Sequence, residues 1–158
     1  MGLDMFAYSV DDEMHPLGSK LDGDVVGGRP LLLSPEDGSE LDEAIYSWRK
    51  HTKLHQWMND YFHELLKNGN ISVSDEHTEN MWAGVFNCIP LYLPMDKLFD
   101  LKYLIEDDDL PESDGGFFWG QDFQNETAAE YKPQDLEFCE WAIKESDNGN
   151  FIYYSCWF

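Results

Sequence analysis

Charge is the property that most limits what this chain can fold into and bind. It carries 32 acidic against ten basic residues, a formal net charge of −22. Charges of one sign repel each other and destabilise a compact state, so we expect stability to rise as salt screens that repulsion. The same field repels nucleic-acid phosphates and anionic membranes, so neither is an expected partner. A basic protein, a nucleoprotein complex or a metal ion suits the field better, and acidity that only maintains solubility is the simpler alternative.

The apolar content is nevertheless sufficient for a folded core. Hydrophobic residues make up 42% of the chain and aromatic residues 15%, which is more than a disordered chain carries. A length of 158 residues suits one domain. We predict a single domain over residues 1–158, with a loop-rich segment at 11–38 where prolines, glycines and acidic turns cluster.

The cellular compartment is predicted from targeting and cysteine motifs that the sequence lacks. Residues 1–6 have no basic region followed by an apolar stretch, so no signal peptide is expected. No apolar run reaches the roughly 20 residues of a membrane-spanning helix. Cys88, Cys139 and Cys156 have no C-x-x-C spacing, which predicts neither a disulfide framework nor a zinc knuckle. These features indicate a cytoplasmic protein.

Three segments predict the strands of a sheet. Residues 3–10 alternate, with Leu3, Met5 and Ala7 on one face. Residues 151–158 place aromatic side chains on both faces, which is typical of a central strand covered on both sides. An aromatic segment at 117–119 is bracketed by glycines, and residues 87–93 form a further strand or extended segment. The predicted class is α+β, a small mixed or antiparallel sheet that includes both terminal strands and packs with three to four helices.

The longest predicted helix begins at the N-cap Ser39 and ends at Asn68-Gly69. Its apolar stripe recurs at steps of three and four residues. The residues of that stripe are Leu41, Ile45, Trp48, His55, Met58, Phe62 and Leu65. Shorter helices are predicted at 75–86, at 95–105 and from Pro133 to about 148, with loops at 106–109 and 121–132.

Several short motifs, taken together and in order, resemble a family of small proteins of bacteriophages and prophages. They are Met1-Gly2-Leu3-Asp4-Met5, Trp48-Arg49-Lys50-His51 with Leu54-His55 and Trp57-Met58, Phe86-Asn87-Cys88-Ile89-Pro90, Leu110-Pro111 before Gly116-Phe117-Phe118-Trp119-Gly120, Asp135-Leu136-Glu137-Phe138, and Tyr153-Tyr154 ahead of Trp157. The set spans nearly the whole chain. The resemblance implies a phage origin, a shared fold and the cytoplasm of a bacterial host, and it supplies no activity.

One candidate site is a ligand pocket on the first long helix. Arg49 beside aromatic side chains could present a guanidinium to an anion, a nucleotide or a carboxylate. Ion pairs with neighbouring acids are the alternative role for this cation. The candidate pocket residues are Trp48, Arg49, His51, His55, Trp57 and Trp119.

The same helix offers a weak metal hypothesis. His51 and His55 are four residues apart, so both imidazoles would lie on one helix face, with His63 or Glu64 as a third ligand. The competing interpretation makes His55 a hydrogen-bonded core residue with His51 at the edge of the apolar stripe. No cofactor is expected, a divalent metal stays open, and no catalytic residue is assigned.

The second candidate site is an acidic run that could bind a protein partner. Its residues are Glu106, Asp107, Asp108, Asp109, Glu112 and Asp114. They lack the spacing of a calcium loop. Carboxylates arrayed on one surface can imitate phosphates and occupy a basic nucleic-acid groove. The leading hypothesis is therefore a phage accessory protein that binds a basic host protein or nucleoprotein complex as a stoichiometric inhibitor or nucleic-acid mimic. The runner-up is a small-ligand or metal pocket, with catalysis and homo-oligomerisation left open.

Overall fold

The structure is a computed structural model that describes residues 2–10, 25–26, 29–32, 43–71, 86, 89–113 and 123–157. Its elements in chain order are β1 Asp4–Val10, β2 Val25–Val26, β3 Arg29–Pro30, β4 Tyr46–Arg49, α1 Thr52–Lys67, β5 Leu91–Tyr92, α2 Met95–Glu106, α3 Gln124–Asp147 and β6 Phe151–Trp157. The predicted α+β class is confirmed.

The main sheet has four antiparallel strands in the order β4-β1-β6-β5, and β2 and β3 pair separately. The two terminal strands are neighbours along their whole length, from Asp4 opposite Trp157 to Val10 opposite Phe151. Both were predicted to share one sheet, and they do. The aromatic strand predicted at 117–119 lies outside the described residues.

The central position predicted for β6 is confirmed. It lies between β1 and β5, and its consecutive residues Tyr153 and Tyr154 are both fully buried. Because consecutive strand residues point to opposite faces, the sheet is covered on both sides at this point. Tyr154 shares its face with Ala7 and Tyr46, its neighbours across the sheet, and the helices α1 and α3 contribute contacts on that face.

The long helix predicted from Ser39 is wrong over residues 43–51, and Ser39 itself lies outside the described residues. Residues 46–49 form the strand β4, paired with β1, and α1 begins only at Thr52. Tyr46-Ser47-Trp48-Arg49 alternates apolar and polar residues, a period-2 pattern that the three- and four-residue steps concealed. Ile45, predicted on the buried stripe, is 57% exposed. The predicted end is confirmed, since Asn68 caps α1 and Gly69 follows with a φ of 76°.

The helix predicted to begin at Pro133 begins nine residues earlier, at Gln124. The segment taken for a polar loop contains Ala128, Ala129 and other good helix formers. Pro133 therefore lies inside α3, where it lacks the N–H that would bond to the carbonyl of Ala129. Both residues are exposed, so water can satisfy that carbonyl.

Of the remaining predictions, two are confirmed and one concerns residues that lie almost entirely outside the described ranges. Helix α2 matches the prediction for 95–105, with Leu98, Leu101 and Ile105 buried, and it ends at Glu106, the first residue of the predicted acidic loop. The extended segment at 87–93 contains β5. The helix predicted at 75–86 lies almost entirely outside the residues that the structure describes.

Candidate functional site

Three side chains that are distant in the sequence meet in a buried hydrogen-bond network. Asp135 of α3 accepts a hydrogen bond from Trp48 Nε1 at 2.8 Å, and its second carboxylate oxygen lies 2.6 Å from His51 Nε2. All three residues are at most 2% exposed. An ionised carboxylate can only accept, so His51 donates from Nε2. The network joins the turn between β4 and α1 to the middle of α3.

Two further residues of α3 bind the backbone of β4 next to this turn. The Tyr131 ring stacks on His51 with 5.2 Å between ring centroids, and its hydroxyl accepts from the Arg49 backbone N–H at 3.1 Å. Gln134 donates from Nε2 to the Ser47 carbonyl at 2.8 Å. Among the described strands β4 lies at the edge of the sheet, so its outer backbone groups have no partner in those strands. Helix α3 satisfies some of them and covers that edge.

His55 lies in a different buried contact. Its Nδ1 shares a hydrogen bond of 2.8 Å with the Tyr154 hydroxyl, and its ring stacks on Phe86 at 5.8 Å. Burial lowers the pKa of His55 from 6.5 to about 3 and raises the pKa of Tyr154 well above 10. Both groups are neutral at pH 7, which agrees with the interpretation of His55 as a core residue.

The candidate pocket residues of the first helix therefore do not meet in one place. Trp48 and His51 share Asp135, whereas Arg49 points outward from the edge strand. Its side chain is 71% exposed and reaches Asp4 at 4.0 Å, across the β1–β4 pair. An ion pair so exposed contributes about 0–1 kcal/mol to stability.

The other candidates of that helix lie apart from this network. Trp57 is half-buried and meets Tyr61 edge-on at 6.0 Å, and Trp119 lies outside the described residues. His63 and Glu64, the proposed additional metal ligands, are exposed. Within the described ranges, no group of three or more His, Cys, Asp or Glu side chains is placed to hold a metal ion.

The acidic run lies at the C-terminal end of α2 and in the loop that follows. Its members Glu106, Asp107, Asp108, Asp109 and Glu112 are all exposed, and Asp114 lies outside the described residues. Two lysines neutralise part of this charge. Lys132 lies 2.9 Å from Asp108, and Lys102 lies 3.8 Å from Glu106.

Helix α2 continues this acidic surface with aromatic side chains. Asp96, Phe99, Asp100 and Tyr103 recur at steps of three and four residues and are exposed, so they share one helix face. Phe99 is 37% exposed and Tyr103 58%, with their rings stacked 6.4 Å apart. We call these four residues the α2 face.

Sequence reasoning missed two buried charged residues, Asp135 and Lys53. Asp135 lies on the buried stripe of α3 with Phe138, Cys139 and Ala142. A carboxylate at a stripe position was the available signal, because buried carboxylates require hydrogen-bond partners. Lys53 is only 9% exposed, and its sequence neighbours gave no comparable signal.

No family model matches the chain, and no curated protein or solved structure matches it. In the part of the chain that the structure describes, no helix has both the length and the apolar character needed to cross a membrane.

Proposed function

We propose that this protein acts by stoichiometric binding of a basic partner protein, through the α2 face and the acidic run that follows it. The observation that carries the proposal is the exposed, stacked pair Phe99 and Tyr103 in the middle of an acidic surface. Exposed aromatic groups within a strongly charged surface are typical of recognition sites.

The local charge supports a cationic partner. Residues 95–113 contain seven carboxylates against two lysines. Both lysines contact their own chain: Lys102 lies near Glu106, and the Lys97 ammonium lies over the Tyr61 ring at 5.1 Å. Most of the carboxylates are thus available to attract an approaching basic surface, which raises the association rate and selects against acidic partners.

The aromatic pair separates this proposal from an acidic surface that serves solubility alone. Solubility is served by carboxylates and not by an exposed Phe or Tyr. Tyrosine is enriched among the few residues that contribute most of the binding energy at protein interfaces. Phe99 and Tyr103 would supply the desolvated contact, and the surrounding carboxylates would orient the approaching partner.

The proposal extends to the class of partner protein. Regularly spaced carboxylates can occupy a groove that evolved for phosphates. The resemblance to bacteriophage and prophage proteins favours a host target in the bacterial cytoplasm. We infer a nucleic-acid-binding enzyme, including one of host defence, that this protein inhibits by occupying its basic groove.

The test begins with capture of host proteins on the immobilised protein, followed by affinity measurements with each purified candidate. The variant Asp96→Asn/Asp100→Asn should bind about three- to ten-fold more weakly, and Tyr103→Ala about ten-fold or more. The affinity of the unaltered protein should fall between low and high salt, and duplex DNA should compete for the same partner.

A matched control exists on α3. Glu126→Gln/Glu130→Gln also removes two exposed charges four residues apart, the first of them in the first turn of its helix. This control should bind nearly as well as the unaltered protein. An affinity that does not change with salt concentration, or an equal loss of affinity in both double variants, would refute the proposed surface.

A further inference from the structure

A cavity of about 300 Å³ opens where the start of α1, the end of α2 and the first half of α3 meet. Its apolar wall includes Ile105, Leu110 and Ala128, and its polar groups include Lys53 and Asn125. This volume is at the lower end of the range for small-molecule sites. Its described lining shares only Asp108 with the acidic run and no residue with the α2 face, so an inference about the cavity does not depend on partner binding at that face.

The unusual group in this cavity is the ammonium of Lys53. The residue is 9% exposed, and its Nζ donates to the side-chain oxygen of Asn125 at 3.1 Å. None of the ion pairs within the described ranges includes Lys53. A buried ammonium is costly unless an anion compensates it, and this chain has 32 acidic residues that could have done so.

The other charged groups of the cavity already have partners. Lys132 lies 2.9 Å from Asp108 at the rim. Both carboxylate oxygens of Asp135 are engaged, by Trp48 and by His51. Of the two lysines among the described lining residues, Lys53 is therefore the one that forms no ion pair.

Asn125 supplies a second donor beside this ammonium. Its side-chain oxygen accepts from Lys53, so its amide N–H groups remain donors to a third group. An ammonium and an amide side by side match the two oxygens of a carboxylate. A phosphate dianion would require more positive charge than one lysine offers, and the described residues that line the cavity include no arginine.

We propose that this cavity binds a small organic monocarboxylate. Its carboxylate lies on Lys53 and Asn125, and its apolar part lies against Ile105, Leu110 and Ala128. The small side chain of Ala128 leaves the room for that apolar part, and the ligand's negative charge compensates the buried ammonium.

Benzoate, benzamide and phenyl phosphate are suitable probes in an NMR titration of the ¹⁵N-labelled protein. Benzoate should cause saturable shifts of the backbone amides of Lys53, Asn125 and Ala128. Benzamide, which has the same shape and no charge, should leave them unchanged. The absence of saturable shifts with millimolar benzoate, equal binding of benzamide, or tighter binding of phenyl phosphate than of benzoate would each overturn the proposal.

Three variants test the residues. Lys53→Met keeps an unbranched side chain that is one atom shorter, removes the charge and should weaken benzoate binding about ten-fold or more. Lys67→Met, an exposed position on the same helix, should bind as the unaltered protein does. Ala128→Leu fills the cavity without changing any charge and should abolish the shifts in a protein whose remaining spectrum is intact. Benzoate binding that survives both Lys53→Met and Ala128→Leu would place the ligand elsewhere and reject this site.

Discussion

At Asp135 a single carboxylate satisfies donors from Trp48 and His51, residues more than 80 positions earlier in the chain. Each of these donors would cost about 1–3 kcal/mol if it stayed buried without a partner. Burial raises the pKa of the nearby Cys139 thiol to about 12, and the charge of the same carboxylate adds to that shift. That thiol is protonated at neutral pH. Through its hydrogen bonds to Trp48 and His51, Asp135 organises the packing of β4 and α1 against α3.

His55 makes the stability of the protein depend on pH in a predictable direction. Its pKa is about 3 in the folded state, because of burial, against 6.5 without burial. Unfolding therefore takes up a proton below pH 6.5, and stability is lost as pH falls from 6.5 towards 3. Between pH 7.5 and 5.0, the unaltered protein should lose about 2 kcal/mol more of unfolding free energy than His55→Gln does, as measured by urea denaturation.

Both proteins carry the same carboxylates, so the titration of those groups drops out of the difference between their unfolding free energies. His63→Gln is the matched control, because His63 is exposed on the same helix and its removal should leave the pH dependence unchanged. Identical pH profiles for His55→Gln and the unaltered protein would show that His55 is accessible to protons in the folded state.

These residues also show what could be predicted from the sequence. The position of His55 on an apolar helix stripe predicted a hydrogen-bonded core histidine as one of two interpretations, and the structure agrees with it. Its partner Tyr154, 99 residues away, could not be predicted, because helix periodicity specifies which face is buried but not what covers it. The same limit applies to Asp135 and to the cavity around Lys53.

Among the elements, those with one dominant local pattern were predicted correctly and those with two patterns were not. Strand β1 alternates, β6 is rich in aromatic residues, and α2 has a continuous apolar stripe. Residues 46–49 fit both a helix and a strand, and pairing with β1 decides between them. That pairing is non-local, so a pattern within the segment cannot reveal it.

Pro133 offers a direct test of where α3 begins. A proline inside a helix costs about 3 kcal/mol relative to alanine, whereas at the first helical position it is favourable. Pro133 is exposed and in the tenth position of α3. Pro133→Ala should therefore raise the unfolding free energy by about 1–3 kcal/mol, measured by urea denaturation.

Glu130→Ala is the control for a general gain in helix propensity, since Glu130 is exposed on the same helix. Its effect should stay within about 0.5 kcal/mol. A neutral or destabilising Pro133→Ala would mean that the helix starts at Pro133, as the sequence pattern alone predicts.

For the molecule as a whole, the dominant property is the charge of −22 and its placement on the surface. Few charged residues enter the core: of those described, Lys53 and Asp135 are buried, together with the histidines 51 and 55. The exposed carboxylates of α2 and α3 lie on two helices that pack against each other. Their mutual repulsion acts against the compact state and depends on the ionic strength.

The unfolding free energy in urea should therefore rise with salt, by on the order of 1 kcal/mol or more, as the Debye length falls from about 30 Å at 0.01 M to about 3 Å at 1 M. Sodium chloride and choline chloride should act alike, because screening does not depend on the identity of the cation. Asp96→Asn/Asp100→Asn should be more stable than the unaltered protein at low salt, and the difference should shrink at high salt. An unfolding free energy that does not change with sodium chloride concentration would contradict a major contribution from repulsion between carboxylates. A much larger effect of sodium than of choline at equal ionic strength would instead indicate bound cations, and the carboxylates of α2 would then be the first place to look for them.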